Sequence, residues 1–358
     1  MKIALLSYST KPRGGVVHTL ALAEALAAAG EDVTVWSLGR GGDPGFFREV
    51  NPDVRVRIVP FPDGPEGETV GERILRSIAT LREAFDPSPY DIVHAQDCIS
   101  ANAAGRCIRT VHHLDHFTTP ELAACHERAI VEPFAHICVS RSVADELAAG
   151  WDLKAEVIPN GVAYERFAAT DTAARTAWRT RLGRYVLTVG GIEPRKGSLD
   201  LLEAYALLRT GHPGVRLVIA GGETLFDYRA YRTRWETRAS ELGVEPVVLG
   251  PVPDDELPAL VAAADAFAFP SLKEGFGLAA MEALAAGVPL IVRDLPVLHE
   301  VFEPAARFGA TPETLAHELG QALTQNDPTR QTAGRELAAR HTWDTAAQRH
   351  VDFYRSLN

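Results

Sequence analysis

The sequence predicts an α/β fold with two mostly parallel sheets. Its 358 residues exceed the usual size of a single hydrophobic core, so two domains are expected. Short apolar segments alternate with helical segments along the chain, as in parallel sheets that helices cover on both faces. At two places a strand leads into a glycine-bearing loop and then a helix, as in nucleotide-binding domains. Together these observations predict two α/β domains of a nucleotide-binding type.

The first half of the chain contains the first series of strands and helices. Residues 2–8 form an apolar strand, the loop Lys11–Gly15 follows, and an Ala- and Leu-rich helix extends from Val16 to Ala29. Residues 39–67 are the most loop-like part, and a helix is expected from about Val70 to Phe85. The further strands expected in this half are Val33–Ser37, Val54–Val59, Asp91–Ala95, Cys107–Val111, Ile137–Val139 and Glu156–Ile158.

A second α/β series begins near residue 185. Tyr164–Gly183 has no strand pattern, so we predict the interdomain linker there, with domains at 1–165 and 166–342. The last segment, Trp343–Leu357, has the periodicity of a helix. The strands expected in the second domain are Tyr185–Val189, Val215–Ala220, Pro246–Leu249, Ala266–Phe269 and Pro289–Val292.

Composition excludes several classes of protein. The formal net charge of -11 argues against nucleic acid as a partner, because that binding depends on Lys and Arg neutralising phosphates. No apolar run is long enough for a transmembrane helix, and the first apolar segment is too short for a secretory signal. We therefore expect a cytoplasmic protein without an integral membrane segment. The four cysteines form no C-x-x-C pair and are expected to be reduced packing residues.

Two groups of polar side chains in the first domain have more than one interpretation. The second helix carries Arg73, Arg76 and Arg82, which we interpret as a solvated face, with a membrane or acceptor-phosphate role as the alternative. His112 and His116 follow a strand and are four residues apart, which raises the idea of a metal site. We favour a histidine that helps to hold a polar substrate, because no helix aligns the pair and no cysteine joins it.

The second domain begins with a loop suited to a diphosphate. Gly190-Gly191, the cations Arg195-Lys196, and Gly197 come directly after a strand. Glycines let backbone amides approach an anion closely, while the cations neutralise its charge. The alternative is an ordinary strand-to-helix turn with exposed cations.

The stretch Pro270–Pro289 carries two carboxylates around a glycine-bearing helix start. Glu282 is the only charged residue from Gly275 to Gly287. We therefore expect this helix to be covered on most sides, and its carboxylate needs a partner from the protein or from a ligand. Glu274 lies in the preceding loop. The two carboxylates suit two different hydroxyl-bearing parts of one ligand, with helix amides facing an anion between them.

These segments resemble the retaining glycosyltransferases of family 4, also called group 1 glycosyltransferases. Glu274–Glu282 matches the family's E-x7-E motif. The family's other motifs occur in the same order, at Gly14-Gly15, Asp91–His94, Thr110–His112, Val139-Ser140, Ile158–Val162, Arg195–Gly197, Leu249-Gly250 and Pro270–Pro289. The resemblance implies the GT-B fold, in which two Rossmann-like domains face each other across a cleft. It also implies that the last helix, about 343–358, packs back on the first, acceptor-side domain, and that the second domain binds the nucleotide sugar.

The resemblance further implies a role for each candidate site residue. Glu282 would bind the donor ribose, and Glu274 would bind hydroxyls of the donor sugar. Lys196 would neutralise the diphosphate, with Arg195 as a second cation, and His112 would lie across the cleft near the transferred sugar. The other candidates for donor binding are Gly14, Gly15, Gly191, Val252, Gly275, Phe276, Gly277 and Leu278.

The chain departs from the family pattern at two positions. Gly191 stands where the family often has an arginine, so Arg195 is the candidate to supply the missing charge. The family's Asn-Gly-Val-Asp becomes Asn160-Gly161-Val162-Ala163, so any role of that aspartate is lost.

The predicted function is the metal-independent transfer of a hexosyl group, with retained anomeric configuration, from a nucleoside-diphosphate sugar to an acceptor hydroxyl. The nucleotide sugar is a co-substrate, no cofactor is expected, and the acceptor class (glycan, lipid or small metabolite) and peripheral membrane contact stay open. One alternative is a non-catalytic sugar-nucleotide-binding protein, which would keep Glu282 and Lys196 without turnover. Another is a nicotinamide-dependent oxidoreductase, which would need a G-x-G-x-x-G fingerprint that neither domain has.

Overall fold

The computed structural model describes residues 1–115, 117, 119–222 and 228–357. The chain divides into two compact units: unit 1 comprises Met1–Gly161 and Trp343–Asn358, and unit 2 comprises Val162–Thr342. Each unit contains one parallel sheet with helices against it. The predicted fold class is therefore confirmed. Among the described residues, we find no helix that combines the length and the apolar character needed to cross a bilayer.

Unit 1 contains a seven-stranded parallel sheet in the order β3-β2-β1-β4-β5-β6-β7. Helices cover both faces: α1 and α15 pack over one apolar cluster, and α2, α3 and α4 pack over the other. Its strands are β1 (Lys2–Leu6), β2 (Asp32–Arg40), β3 (Arg55–Phe61), β4 (Ile92–Ala95), β5 (Ile108–Val111), β6 (Ala135–Cys138) and β7 (Glu156–Val157). Its helices are α1 (Gly14–Ala28), α2 (Val70–Ala84), α3 (Cys98–Ala104), α4 (Pro120–Val131), α5 (Arg141–Trp151) and α15 (Trp343–Ser356).

Unit 2 contains a six-stranded parallel sheet in the order β10-β9-β8-β11-β12-β13. Its strands are β8 (Arg184–Val189), β9 (Val215–Ala220), β10 (Val247–Gly250), β11 (Ala266–Phe269), β12 (Leu290–Arg293) and β13 (Arg307–Gly309). Its helices are α6 (Tyr164–Ala168), α7 (Thr172–Leu182), α8 (Ser198–Gly211), α9 (Arg229–Glu241), α10 (Leu257–Ala262), α11 (Leu278–Ala285), α12 (Pro296–Phe302), α13 (Pro312–Thr324) and α14 (Pro328–Arg340).

The segment interpreted as a linker belongs to unit 2, so that prediction is wrong. Tyr164–Gly183 forms α6 and α7, which pack against α10 and α11. Phe167, Trp178 and Leu182 are buried there and supply the apolar contacts that hold both helices in place. The division between units falls at Gly161/Val162, a few residues before the predicted position.

Each sheet has one point where the strand order reverses. In unit 1 the reversal lies between β1 and β4, and in unit 2 it lies between β8 and β11. Chain segments that leave neighbouring strands there run in opposite directions, which opens a crevice at the carboxyl ends of the strands. Ligands of open parallel sheets bind in such crevices. In unit 2, the two predicted ligand loops are the ones that follow β8 and β11.

Candidate functional site

Two cations in the loop after β8 meet a carboxylate in the loop after β11. Lys196 Nζ lies 2.5 Å from Glu274 Oε1, and a guanidinium nitrogen of Arg195 lies 3.1 Å from the same oxygen. Arg195 also lies 3.4 Å from Glu193 Oε1, and its main-chain oxygen accepts a hydrogen bond from the Leu272 N–H. The strand-order reversal thus brings together three of the four predicted catalytic residues, Arg195, Lys196 and Glu274.

Glycine is required where the two loops approach each other. Gly197 has a φ of +63°, and a Cβ atom added to it would lie 2.2 Å from the Pro270 carbonyl oxygen. Any side chain there would force the loops apart. Gly190 and Gly191 line a pocket together with Lys196, and the buried hydroxyl of Ser271 in the same pocket has no hydrogen-bond partner among the described residues.

Arg293, at the end of β12, fixes the start of the loop after β11. The side chain is 4% exposed and donates two hydrogen bonds to the Pro270 carbonyl oxygen, at 3.2 and 3.1 Å. The guanidinium also donates a 2.7 Å hydrogen bond to the Ala310 carbonyl oxygen and a 2.6 Å hydrogen bond to the Asp200 carboxylate of α8. Arg293 therefore positions the loop that carries Glu274.

The start of α11 presents backbone amides without a side-chain cap. Gly277 is the N-cap residue with a φ of +100°, and as a glycine it offers no side-chain cap to the first turn, which begins at Leu278. Gly275 and Phe276 are buried just before it, and the Phe276 ring lies 5.8 Å from the His341 ring. First-turn N–H groups have no intrahelical acceptor and attract anions. The predicted donor-binding residues from Gly275 to Leu278 thus form a helix N-terminus.

Glu282 lies one turn further along α11, and its carboxylate has no protein partner among the described residues. Burial raises the pKa of this carboxyl to about 7. Arg166 of α6 opposes that shift, but its guanidinium is held 2.8 Å from the Asp254 carboxylate, whose charge raises the pKa further. Asp254 follows Val252 by two residues, so the loop after β10 lies within electrostatic range of Glu282. The sequence predicted that the Glu282 carboxylate needs a partner. Because no described residue supplies a hydrogen bond to it, we expect a ligand to do so.

In unit 1, His112 directly follows β5. Its Nε2 atom is buried and makes no hydrogen bond to any described residue, and burial lowers the pKa of its imidazole to about 3. The His18 ring contacts it edge to face with ring centroids 4.7 Å apart, and His18 Nδ1 lies 2.9 Å from Asn160 Oδ1. His112 is therefore a neutral imidazole with an unused polar atom. Gly14 and Gly15 begin α1, and open space surrounds both.

The metal alternative for the histidine pair rests partly on His116, which lies outside the described residues. Over the residues that are described, no group of three or more His, Cys, Asp or Glu side chains has an arrangement that could hold a metal ion. Metal independence stays a prediction.

Sequence reasoning missed four polar residues at these sites: Arg166, Asp254, Arg293 and His18. Arg166 and Asp254 lie 88 positions apart in the chain and meet only through packing. Arg293 ends an apolar strand, where a lone arginine is an unusual residue, and that position could have indicated burial. His18 lies on a mostly apolar helix, which is a weaker signal of the same kind.

Two family models match the chain and together cover most of it. Residues 12–166 match the model described as Glycosyltransferase Family 4, and residues 179–338 match the one described as Glycosyl transferases group 1. Among curated relatives, the D-inositol 3-phosphate glycosyltransferase of Corynebacterium urealyticum is 27% identical over 100% of this chain and 96% of its own. The phosphatidyl-myo-inositol mannosyltransferase of Mycobacterium leprae is 26% identical over 100% of this chain and 97% of its own.

Solved structures show the same architecture. Sucrose-phosphate synthase from Thermosynechococcus elongatus aligns with a TM-score of 0.79 and 21% identity over 99% of this chain and 98% of its own. Anabaena HepE, solved in complex with UDP and glucose, aligns with a TM-score of 0.75 and 19% identity over 99% of this chain and 100% of its own. The architecture is that of the GT-B class. The chain belongs to the group 1 glycosyltransferases of family 4, and it is a glycosyltransferase.

Proposed function

We propose that this glycosyltransferase moves a sugar from a nucleoside-diphosphate sugar to an acceptor hydroxyl, with retention of the anomeric configuration and without a divalent metal. The observation that carries the proposal is the grouping of Arg195, Lys196 and Glu274 beside the uncapped N-terminus of α11. Cations and helix amides at one point suit a diphosphate. The UDP and glucose in the HepE complex support the same class of donor.

Departure of the diphosphate is the demanding step of this transfer. The bond between the sugar's anomeric carbon and the phosphate oxygen breaks, and negative charge develops on the departing phosphate. An ammonium has three N–H donors, so Lys196 can keep its contact with Glu274 and also donate to that phosphate. Fixed donors aimed at developing charge lower the barrier because they need little reorganisation. In this proposal, Lys196, Arg195 and the amides from Gly275 to Leu278 do the work of a metal ion.

In the scheme we propose, retention follows because the acceptor oxygen attacks the face from which the diphosphate leaves. The new bond forms between the anomeric carbon and the acceptor oxygen, and the proton of the acceptor hydroxyl passes to the departing phosphate oxygen. No side chain has to act as the base in this scheme. The neutral His112 imidazole, whose Nε2 makes no hydrogen bond to a described residue, is suited to bind a sugar hydroxyl. Glu282, with its unpartnered carboxylate, is suited to the ribose hydroxyls.

The test uses Lys196→Met, with Lys154→Met as the control for charge removal at an exposed position of unit 1. A thermal-shift panel of UDP, GDP and ADP first identifies the base. Turnover of the matching nucleotide sugar by Lys196→Met should fall about 100-fold to 1,000-fold, as on removal of an electrostatic stabiliser, while Lys154→Met keeps wild-type rates.

The same assay tests the stereochemistry and the metal requirement. Proton NMR of the glycoside should show the donor's anomeric configuration, and a chelator should leave the rate unchanged. An inverted product would refute retention. A rate that collapses with chelator and recovers with Zn²⁺ would restore the metal alternative. Tight nucleotide binding without any donor turnover would indicate a non-catalytic binding protein.

A further inference from the structure

His18 contacts three separate segments of unit 1, and the proposed function gives it no role. This side chain lies on α1 and is 1% exposed. Its ring packs against the rings of His112, which follows β5, and Trp343, which begins α15. Its Nδ1 atom lies 2.9 Å from the Oδ1 atom of Asn160, in the segment after β7. One imidazole thus connects α1 with α15 and with the chain after two strands of the sheet.

The hydrogen bond to Asn160 determines which nitrogen of His18 carries the proton. Oδ1 of Asn160 is a carbonyl oxygen and can only accept, so His18 Nδ1 must donate. Burial holds the pKa of His18 well below its usual value, so the imidazole is neutral and its Nε2 atom has no proton. Because the Asn160 side chain is itself 4% exposed, water has little access to this bond. The bond therefore fixes the rotation of the His18 ring.

Two ring contacts fix the plane of the His18 imidazole. Its centroid lies 4.7 Å from the centroid of His112 and 5.3 Å from that of Trp343, with interplanar angles of 81° and 75°. Aromatic pairs at such separations favour near-perpendicular arrangements of this kind. With its rotation set by Asn160 as well, the His18 ring has one position and one orientation. It presents a rigid surface to His112.

The His112 ring depends on packing for its orientation. Its Nε2 atom is buried and has no hydrogen-bond partner among the described residues. In the proposed function this atom binds a hydroxyl of the sugar, so the protein cannot also use it to hold the ring. Among the described residues, the ring that packs against His112 is that of His18. A group that acts on a reacting sugar must be held close to its productive geometry, because small displacements lower the rate.

The neighbouring buried histidines are engaged in other contacts. His94 is held through both ring nitrogens, by hydrogen bonds of 2.7 Å to the hydroxyl groups of Tyr354 and Thr110. His350 donates a 2.7 Å hydrogen bond from Nδ1 to a carbonyl oxygen of its own helix. In the described part of the chain, neither of these two rings packs against His112. Support of the His112 ring therefore falls to the histidine of α1.

We infer that His18 is a positioning residue, which holds the His112 imidazole in the orientation that sugar transfer needs. This inference deepens the proposed function and rests on it. His18 does not touch the substrate in this scheme: it acts through His112, while Asn160 and Trp343 keep it in place. Without His18 the nucleoside diphosphate still binds to unit 2, but the contact of His112 with the sugar hydroxyl weakens in the transition state. Loss of His18 should therefore lower kcat more than it raises the KM for the donor.

The test is a double-mutant cycle on the turnover of a nucleotide sugar by the full-length protein. UDP-glucose, GDP-mannose and ADP-glucose are the probes, and the one that turns over fastest is used. His18→Asn keeps an N–H donor near the position of Nδ1 but removes the ring, and it should lower kcat about tenfold. His18→Phe keeps a ring and should keep kcat near the wild-type value. In a His112→Ala background, His18→Asn should have no further effect, because the residue that it positions is already gone.

His136→Asn is the matched control for the loss of a buried histidine from unit 1. His136 is 4% exposed, and its Nε2 atom lies 2.7 Å from the Ile130 carbonyl oxygen, but its ring packs against neither His18 nor His112. This variant should lose stability without a change in kcat. If His18→Asn lowers kcat by the same factor with and without His112, its role is confined to folding and the inference is wrong.

Nitrogen-15 NMR of the ligand-free protein tests the same arrangement without a donor. His18 should carry its proton on Nδ1, and the imidazole signal of His112 should shift in His18→Asn but not in His136→Asn. The variants His18→Asn and His112→Ala assign the two signals. A proton on Nε2 of His18, or a His112 signal that His18→Asn leaves unchanged, would overturn the inference. The proposed donor chemistry would fail separately, through unchanged nucleotide binding and turnover in Lys196→Met.

Discussion

Glu282 lies in a partly buried environment, and its negative charge requires a ligand to stabilise it. Its carboxylate has no protein partner in the described part of the chain, and burial raises its pKa to about 7. Without ligand, a large fraction of the molecules therefore carries a neutral carboxyl at neutral pH. Ribose hydroxyls donate more strongly to the ionised form, so binding should favour loss of the proton.

The first residue-scale prediction concerns the pH dependence of nucleotide affinity. Affinity of the wild type for the nucleoside diphosphate should rise between about pH 6 and pH 8, because the pKa of about 7 must be crossed to create the ionised acceptor. Glu282→Gln should bind about tenfold more weakly at pH 8 and show a flatter profile. Titration calorimetry of both proteins, in matched buffers, removes the contribution of the diphosphate's own ionisation. Parallel profiles for the two proteins would contradict the assignment.

Sequence reasoning could find a site residue only where a short local motif marks it. Lys196, Glu274 and Glu282 belong to short motifs next to glycines, so their chemistry is visible in the order of residues alone. Arg166 and Asp254 gain meaning only from an ion pair between distant segments. Among the arginines of α2, Arg73 is partly buried and Arg82 is exposed, so they do not form one solvated face, and the sequence pattern does not distinguish the two. The arrangement of charge around a site thus requires the folded chain.

At the scale of elements, the loop after β11 depends on Arg293 for its position. The side chain joins Pro270 at the start of the loop to α8 and to Ala310 after β13. One guanidinium therefore connects three separate elements of unit 2. A lysine has the charge but lacks the planar set of five donors.

Replacement of Arg293 should lower both stability and donor affinity. Arg293→Met removes both donors to the buried Pro270 carbonyl oxygen, which should cost about 2 to 3 kcal/mol of unfolding free energy in urea denaturation. Arg293→Lys should lose part of that unfolding free energy. The control Arg216→Met, at an exposed position of β9, should keep the wild-type stability and nucleotide affinity. Nucleotide affinity measured below the unfolding transition should fall as well. A destabilised variant with unchanged nucleotide affinity would limit Arg293 to a role in folding.

Element prediction succeeded where apolar periodicity was strong and failed where burial was sparse. The expected strands Val215–Ala220 and Ala266–Phe269 match β9 and β11 residue for residue. The short strand β13 begins with a charged residue and was missed. Helices α6 and α7 were also missed, because α7 is rich in Ala, Thr and Arg and buries only Trp178 and Leu182. Tertiary packing, more than local pattern, stabilises such helices.

At the scale of the molecule, the two units should respond to acid in opposite ways. Unit 1 buries several neutral histidines: burial lowers the pKa of His350 to about 4 and places those of His18 and His94 well below the usual value. Their folded-state pKa values are depressed, so unit 1 loses stability as pH falls below about 6.5. The pKa of Glu282 is raised instead, so unit 2 gains stability as pH falls from about 7 toward 4.5.

Hydrogen exchange read by mass spectrometry can follow both units in one experiment. After correction for intrinsic rates, amides of unit 1 should lose protection between about pH 7 and pH 5, while amides around α11 keep or gain it. Glu282→Gln should raise protection in unit 2 at pH 8, by at most about 3 kcal/mol, and remove its pH dependence. His350→Gln should make the protection of unit 1 amides fall less steeply as pH decreases. The same pH response in both units would refute the prediction.

The return of the chain to unit 1 has a consequence for its synthesis. Unit 2 is one continuous segment, whereas the core of unit 1 includes Tyr354, which is fully buried and bonds to His94 across 260 positions of sequence. On the ribosome, unit 2 can close as soon as its last residue emerges. Unit 1 begins to be synthesised before unit 2 but must keep an apolar surface uncovered until α15 emerges from the ribosome. Of the two units, the one that begins first is therefore the last to finish folding, and a chaperone would bind its apolar surface longest.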